Sequence, residues 1–110
     1  MESKTYNKLV RDLIPEWLKT KGIRSKTKIV SGQEKLGLLF DKFHEEFLEF
    51  KNAKNNNERK SELGDILEVV KGIASHFEYP WDEIEIIANN KKQERGGFEN
   101  GVFLIETTKE

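Results

Sequence analysis

Cysteine is absent from the sequence, and so is any long run of apolar residues. The lack of cysteine excludes disulfides, thiolate metal sites and cysteine nucleophiles. No apolar run approaches the roughly 20 residues of a membrane-spanning helix, and the first residues lack the apolar centre of a signal peptide. We therefore expect a cytoplasmic protein without a membrane partner.

An excess of charge of either sign is also missing, because the sequence has 19 basic and 20 acidic side chains and a net charge of −1. This balance gives no general attraction to a nucleic-acid polymer or an anionic membrane. The 110 residues are enough for a single domain, residues 1–110, but hydrophobic residues make up only 35% of them. We therefore expect a second copy to complete the fold.

Apolar periodicity and local start and stop signals predict the first two of four helices. A short helix is expected from about Pro15 to Lys21, since proline favours the first helical position and Gly22 favours an end. The second helix follows Ser31, which has capping-box spacing to Glu34. The apolar residues at helical spacing in it are Leu36, Leu39, Phe40, Phe43, Phe47 and Phe50.

A run of three asparagines, with Asn57 as the candidate N-cap, separates the second helix from the third. The apolar stripe of the third helix is Leu63, Ile66, Leu67, Val70, Ile73, Ala74 and Phe77. A fourth helix is predicted to start near Pro80–Asp82 and to end at Gly96-Gly97. Residues 26–30 suggest a short strand, and the Asn100-Gly101 pair suggests a small hairpin. The predicted fold class is all-α, a helical hairpin with minor β pieces.

Four acidic residues fall on matching flanks of the two central helices. At about 100° per residue, Glu46 and Glu49 lie to one side of the first apolar stripe. Glu62 and Asp65 lie to the same rotational side of the second stripe. In an antiparallel hairpin these flanks meet, with Glu49 opposite Glu62 and Glu46 opposite Asp65. Glu45 points further away, which gives it an outer role.

Such a patch is costly without a cation. Two like charges about 5 Å apart repel by roughly 3 kcal/mol at an effective dielectric constant near 20, so some carboxyls should bind protons. A divalent ion removes the repulsion, and ligation by oxygen alone favours Mg²⁺, or alternatively Mn²⁺, over Zn²⁺ or copper. Taken singly, each carboxylate fits a solvated helix face as well. The four carboxylates lie on the same flank of the hairpin, at matching positions along the two helix axes, and all are negatively charged. This combination favours a metal site.

The same residues carry a family resemblance. The motifs Glu-Glu-x-x-Glu at 45–49 and Glu-x-x-Asp at 62–65 resemble the signature of the MazG-like all-α NTP pyrophosphohydrolases. The blocks YNKLVRDLIPE (Tyr6 to Glu16) and ERGGFENGVFL (Glu94 to Leu104) resemble the branch called phosphoribosyl-ATP pyrophosphohydrolase-like. Together the three blocks span nearly the whole chain.

The resemblance implies Mg²⁺-dependent hydrolysis of a nucleoside triphosphate between its α and β phosphates, which yields a monophosphate and pyrophosphate. It implies that Glu46, Glu49, Glu62 and Asp65 are the Mg²⁺ ligands, and that the chain forms a homodimer or tetramer whose helices build a shared bundle. House-cleaning of non-canonical NTPs or dNTPs is the function expected by analogy. The alternatives are a phosphoribosyl-ATP pyrophosphohydrolase of histidine biosynthesis and a non-catalytic helical interaction module with a structural cation site.

Catalysis requires a base and further cations. A nearby carboxylate, Glu45 or Glu49, is the candidate acceptor of the attacking water's proton, and the sequence does not choose between them. The candidates for binding phosphate are Lys8, Arg11, Asn89, Lys92 and Arg95, with Lys42 a weaker one. The last three of the five share one face of the fourth helix. The alternatives are that these basic residues complement a helix dipole or lie in solvated stretches.

Overall fold

The computed structural model describes residues 2–109, and within them the regular structure is entirely helical. The helices are α1 (Ile14–Thr20), α2 (Gly32–Lys51), α3 (Asn56–His76) and α4 (Trp81–Arg95). The predicted all-α class is confirmed. The contacts divide the chain into two compact units, of which the first ends at Glu78 and the second begins at Tyr79.

Helix α1 begins one residue earlier than predicted, because the Ile14 N–H donates to the Arg11 carbonyl over 3.0 Å and starts the turn before Pro15. It ends at Thr20, one residue before the predicted Lys21, and the expected Gly22 follows at φ +76°. Glycine adopts this left-handed conformation without the steric cost that other residues incur.

Ser31 is the N-cap of α2, with the extended backbone typical of that position (φ −150°, ψ 175°). The predicted capping-box bond is absent, since the Ser31 side chain makes no cap hydrogen bond within residues 2–109. The Glu34 carboxylate lies instead 3.8 Å from the Lys28 ammonium.

The N-cap of α3 is Asn55, so the prediction of Asn57 was wrong. Asn55 Oδ1 accepts the Glu58 N–H over 2.9 Å, and Glu58 Oε2 accepts the Lys54 N–H over 2.8 Å. The physical reason is spacing, because Asn55 has a glutamate three residues on and Asn57 has Lys60 there.

Helices α2 and α3 form an antiparallel hairpin joined by residues 52–55, and they pack along their length. The core is small and consists of Leu39, Val69 and Ala74. Gly72 allows close approach, since a Cβ there would lie 3.2 Å from Leu39 Cδ2. Much apolar surface of the hairpin stays exposed, at Phe40, Phe47, Leu48, Leu63 and Leu67.

The second unit contains α4 and an irregular segment that follows it. The predicted turn is present, since the Gly101 N–H donates to the Phe98 carbonyl over 3.1 Å with Gly101 at φ +60°. The predicted hairpin strands and the strand at 26–30 were wrong, because no strand occurs within residues 2–109. Neither segment has a neighbouring strand to supply the backbone partners that a ladder requires.

None of the helices in the described part of the chain has the combination of length and apolar character needed to cross a bilayer.

Candidate metal centre

Glu46 is the only buried charged residue among residues 2–109, at 5% exposure. It lies on the flank of α2 that faces α3. Its Oε1 atom is 3.1 Å from the Lys42 ammonium one turn earlier. Its Oε2 atom, like Oε2 of Glu62, is buried without a hydrogen-bond partner in the described part of the chain. A buried carboxylate oxygen without a partner is costly and indicates a missing proton or cation.

The carboxylates gather in two overlapping groups. Oxygens of Glu46, Glu62 and Asp65 lie within 4.8 Å of one another, so the first group bridges α2 and α3. Oxygens of Glu45, Glu46 and Glu49 lie within the same distance along α2. The structure thus brings the four predicted ligands to one patch, with Glu46 common to both groups. Their role as ligands stays a prediction.

Glu45 lies closer to this patch than its helical angle suggested. Its Oε1 accepts a hydrogen bond from the Lys8 ammonium over 2.8 Å, and its Oε2 lies 3.5 Å from the Lys42 ammonium. The angle of Glu45 from the apolar stripe of α2 did not predict these two contacts. They depend on flexible side chains and, for Lys8, on a segment outside the helix.

The carboxyls influence one another's protonation. A hydrogen bond with Glu46, followed by burial, raises the pKa of Glu62 to about 7. Burial also acts to raise the pKa of Glu46, but hydrogen bonds with Glu62 and Lys42 outweigh it and hold that pKa below 4.5. Partial burial of its carboxyl group, then the hydrogen bond with Glu46, raises the pKa of Glu49. In ion-free conditions the Glu62 carboxyl therefore keeps its proton up to about pH 7, well above the usual range of a glutamate.

The predicted N-terminal cations lie at the same patch. Arg11 Nη2 donates a hydrogen bond to Asp65 Oδ1 over 2.8 Å, and Lys8 Nζ donates one to Glu45 Oε1 over the same distance. The Glu45 hydrogen bond raises the pKa of Lys8, because it favours the charged ammonium. Lys42, the weaker candidate, is the cation nearest to the buried carboxylate. Whether these residues bind phosphate stays a prediction.

Asn89, Lys92 and Arg95 belong to the second unit. All three are exposed on α4, and Lys92 and Arg95 lie in its last turn. The Gly96 N–H donates to the Lys92 carbonyl over 2.8 Å and closes the helix. Cations here complement the helix dipole, and their proposed contact with phosphate stays a prediction.

A hollow of about 40 Å³ lies beside the patch, lined in part by Lys8, Lys42 and Glu45. This volume admits about one or two waters. Ligand pockets for whole small molecules measure roughly 300–1,000 Å³. The hollow therefore does not hold a nucleotide.

The donor set fits a hard divalent cation, since it consists of carboxylate oxygens from two helices, two of them buried and unpartnered. Comparison of the chain with family models, curated proteins and solved structures found no match. We therefore infer the function from the site itself and from the motif resemblance described above.

The pKa of Glu62 predicts a pH dependence of stability in ion-free buffer. The folded state holds the Glu62 proton up to about pH 7, whereas an unfolded carboxyl releases it near 4.5. The free energy of unfolding should therefore decrease as the pH rises through this interval. Glu49 acts in the same direction, while the lowered pKa of Glu46 acts only below that range. Urea unfolding in EDTA at about pH 5 and pH 8 measures the difference.

Replacement of Glu62 by glutamine should raise stability at the higher pH and flatten the profile. The control is Glu68→Gln, an exposed glutamate of α3 outside both carboxylate groups, which should keep the wild-type slope. An unchanged slope in Glu62→Gln would show that protonation of this carboxyl does not cause the pH dependence.

Proposed function

We propose that the chain is a Mg²⁺-dependent nucleoside triphosphate pyrophosphohydrolase. The observation that supports this most is the buried Glu46, whose oxygens share a group with Glu62 and Asp65 of the next helix. Such a group is stable only with a proton or a cation among its members. The motif resemblance adds the reaction class, with Mg²⁺ as the cation and Mn²⁺ as the alternative.

Glu46, Glu62 and Asp65 would hold the ion. When bound, Mg²⁺ supplies neutralisation of phosphate charge and lowers the pKa of a coordinated water. Glu49, the fourth predicted ligand, lies instead in the overlapping group with Glu45 and Glu46, beside the proposed ion.

Glu49 is the better candidate for the general base. Glu49 is an exposed residue whose partly buried carboxyl has a raised pKa, which makes it a stronger proton acceptor. Glu45, the other candidate, is bound by two lysine ammonium groups, Lys8 and Lys42. These contacts occupy both of its carboxylate oxygens, Oε1 with Lys8 and Oε2 with Lys42, and leave neither open to an attacking water. We therefore assign proton transfer from the attacking water to Glu49 and a positioning role to Glu45.

The substrate needs cations for its phosphates. Lys8 and Arg11 supply two at the carboxylate patch, and Lys92 and Arg95 with Asn89 are the further candidates. Non-canonical NTPs or dNTPs are the proposed substrates, by analogy with the family that the motifs resemble.

We further propose that the site is completed by a second copy of the chain, in a homodimer or tetramer. The hollow beside the patch is far too small for a nucleotide. The hairpin also leaves large apolar side chains in solvent, with Phe40 at 47% and Leu48 at 54% exposure. A second hairpin packed on this face would bury these apolar side chains and supply further residues to line the site.

Amide variants test the catalytic proposal. Asp65→Asn removes a ligand charge and Glu49→Gln removes the base, and both keep the side-chain shape. Release of pyrophosphate from a panel of nucleotides with Mg²⁺ should fall about 100-fold or more in each variant. The Mg²⁺-dependent rise in melting temperature should be lost in Asp65→Asn, since only ions bound to the native state stabilise it.

The control for both variants is Glu68→Gln, which should keep wild-type turnover and the wild-type Mg²⁺ shift. If no nucleotide of the panel yields pyrophosphate but the Mg²⁺ shift persists, the protein is a cation-binding interaction module instead. If phosphoribosyl-ATP alone is hydrolysed, the biosynthetic alternative is correct. Wild-type turnover in both amide variants would contradict the proposed site.

Assembly is tested by light scattering at micromolar concentration. We expect at least twice the chain mass of 12.8 kDa. Phe47→Ser should shift the mass toward the monomer, because Phe47 lies on the exposed apolar face of α2. Lys60→Ser, an exposed polar change on α3, should leave it unchanged. A folded wild-type monomer would contradict the shared-site proposal.

A further inference from the structure

The segment before α1 is connected to the carboxylate patch mainly through two side chains. Lys8 bonds to Glu45, 37 positions away in the sequence, and Arg11 bonds to Asp65, 54 positions away. The backbone of residues 6–10 makes no hydrogen bond within the described part of the chain. Leu9 is half-buried, and the other residues of this stretch are exposed.

Both acceptors belong to the candidate metal centre. Asp65 is grouped with Glu46 and Glu62, and Glu45 with Glu46 and Glu49. Arg11 therefore neutralises Asp65, a proposed ligand of the ion, and Lys8 neutralises Glu45, which lies beside the ligand Glu46. Once such an ion is bound, the guanidinium and the ammonium face a positive charge and lose part of the negative field that holds them.

The two ion pairs are weak enough to exchange. The Arg11 side chain is 55% exposed and that of Lys8 is 36% exposed. Solvent screens such pairs, so each contributes little to holding the segment in place. A divalent ion bound by several carboxylate oxygens competes with them successfully.

We propose that residues 6–10, together with the Arg11 side chain, form an ion-responsive strap, which Lys8 and Arg11 fasten to Glu45 and Asp65 and which a divalent cation at Glu46, Glu62 and Asp65 releases. The proposal rests on the cation site of the proposed function, but not on nucleotide hydrolysis. Release frees two cationic side chains beside the ion, where an anionic ligand of that ion would meet them.

Limited digestion with trypsin tests the strap directly, with Mg²⁺ alone as the probe and no nucleotide. Trypsin cleaves after Lys8 only when the Lys8 side chain enters the protease's specificity pocket. The hydrogen bond from the Lys8 ammonium to Glu45 opposes this. Addition of Mg²⁺ should accelerate cleavage after Lys8 about fivefold, the upper range for an exposed ion pair. Cleavage after Arg24, in the exposed loop between α1 and α2, is the internal control and should not change.

A second measurement separates competition from a general charge effect. Titration calorimetry with Mg²⁺ should show about two- to fivefold tighter binding for Arg11→Gln, because the competing guanidinium is gone. Lys19→Gln on α1 removes the same charge without touching the patch and should leave affinity unchanged.

The outcomes distinguish this proposal from the proposed function. If Mg²⁺ binds the wild type but leaves Lys8 cleavage unchanged or slows it, the strap is wrong and the cation site stands. Equal effects of Arg11→Gln and Lys19→Gln on affinity also overturn the strap. If the wild type binds no Mg²⁺, both proposals are wrong.

Discussion

A carboxylate buried among other carboxylates is the constraint on which the rest of this structure depends. Glu46 is held between α2 and α3 at 5% exposure, with Glu62 and Asp65 close by on the facing helix. The hairpin core offers little to offset the cost, since only Leu39, Val69 and Ala74 are buried with it. A charge arrangement that opposes folding indicates a functional site, and our proposal that it binds a divalent cation fits these oxygen donors.

Three compensations act on this cluster in the absence of a metal. Lys42 contacts Glu46 from one turn away, the raised pKa of Glu62 lets its carboxyl hold a proton, and the N-terminal segment brings Lys8 and Arg11 to the edge of the cluster. Each is a positive charge that a bound ion can replace. Stability, protonation and the position of the N-terminal segment are therefore linked to the same site.

The sequence allowed prediction of the features that follow from helical periodicity. The position of Glu46 against Asp65 needed only 3.6 residues per turn and an antiparallel hairpin. The cap of α3 was predicted wrongly at Asn57, although Asn55 alone among the three asparagines has a glutamate three residues later. The prediction of a strand at 26–30 and of a hairpin at Asn100-Gly101 failed, because a local sequence pattern does not show whether a partner strand is present. The link from Arg11 to Asp65 spans 54 positions, and no local spacing specifies it.

The central claim is that one divalent ion binds between α2 and α3. Crystals grown with Mn²⁺, which accepts the same oxygen ligands as Mg²⁺, test it by anomalous diffraction at the manganese edge. We expect a single strong peak at about 2.2 Å from carboxylate oxygens of Glu46, Glu62 and Asp65, the distance typical of such ions. The absence of a peak there, or a peak coordinated by residues of one helix alone, would contradict the claim.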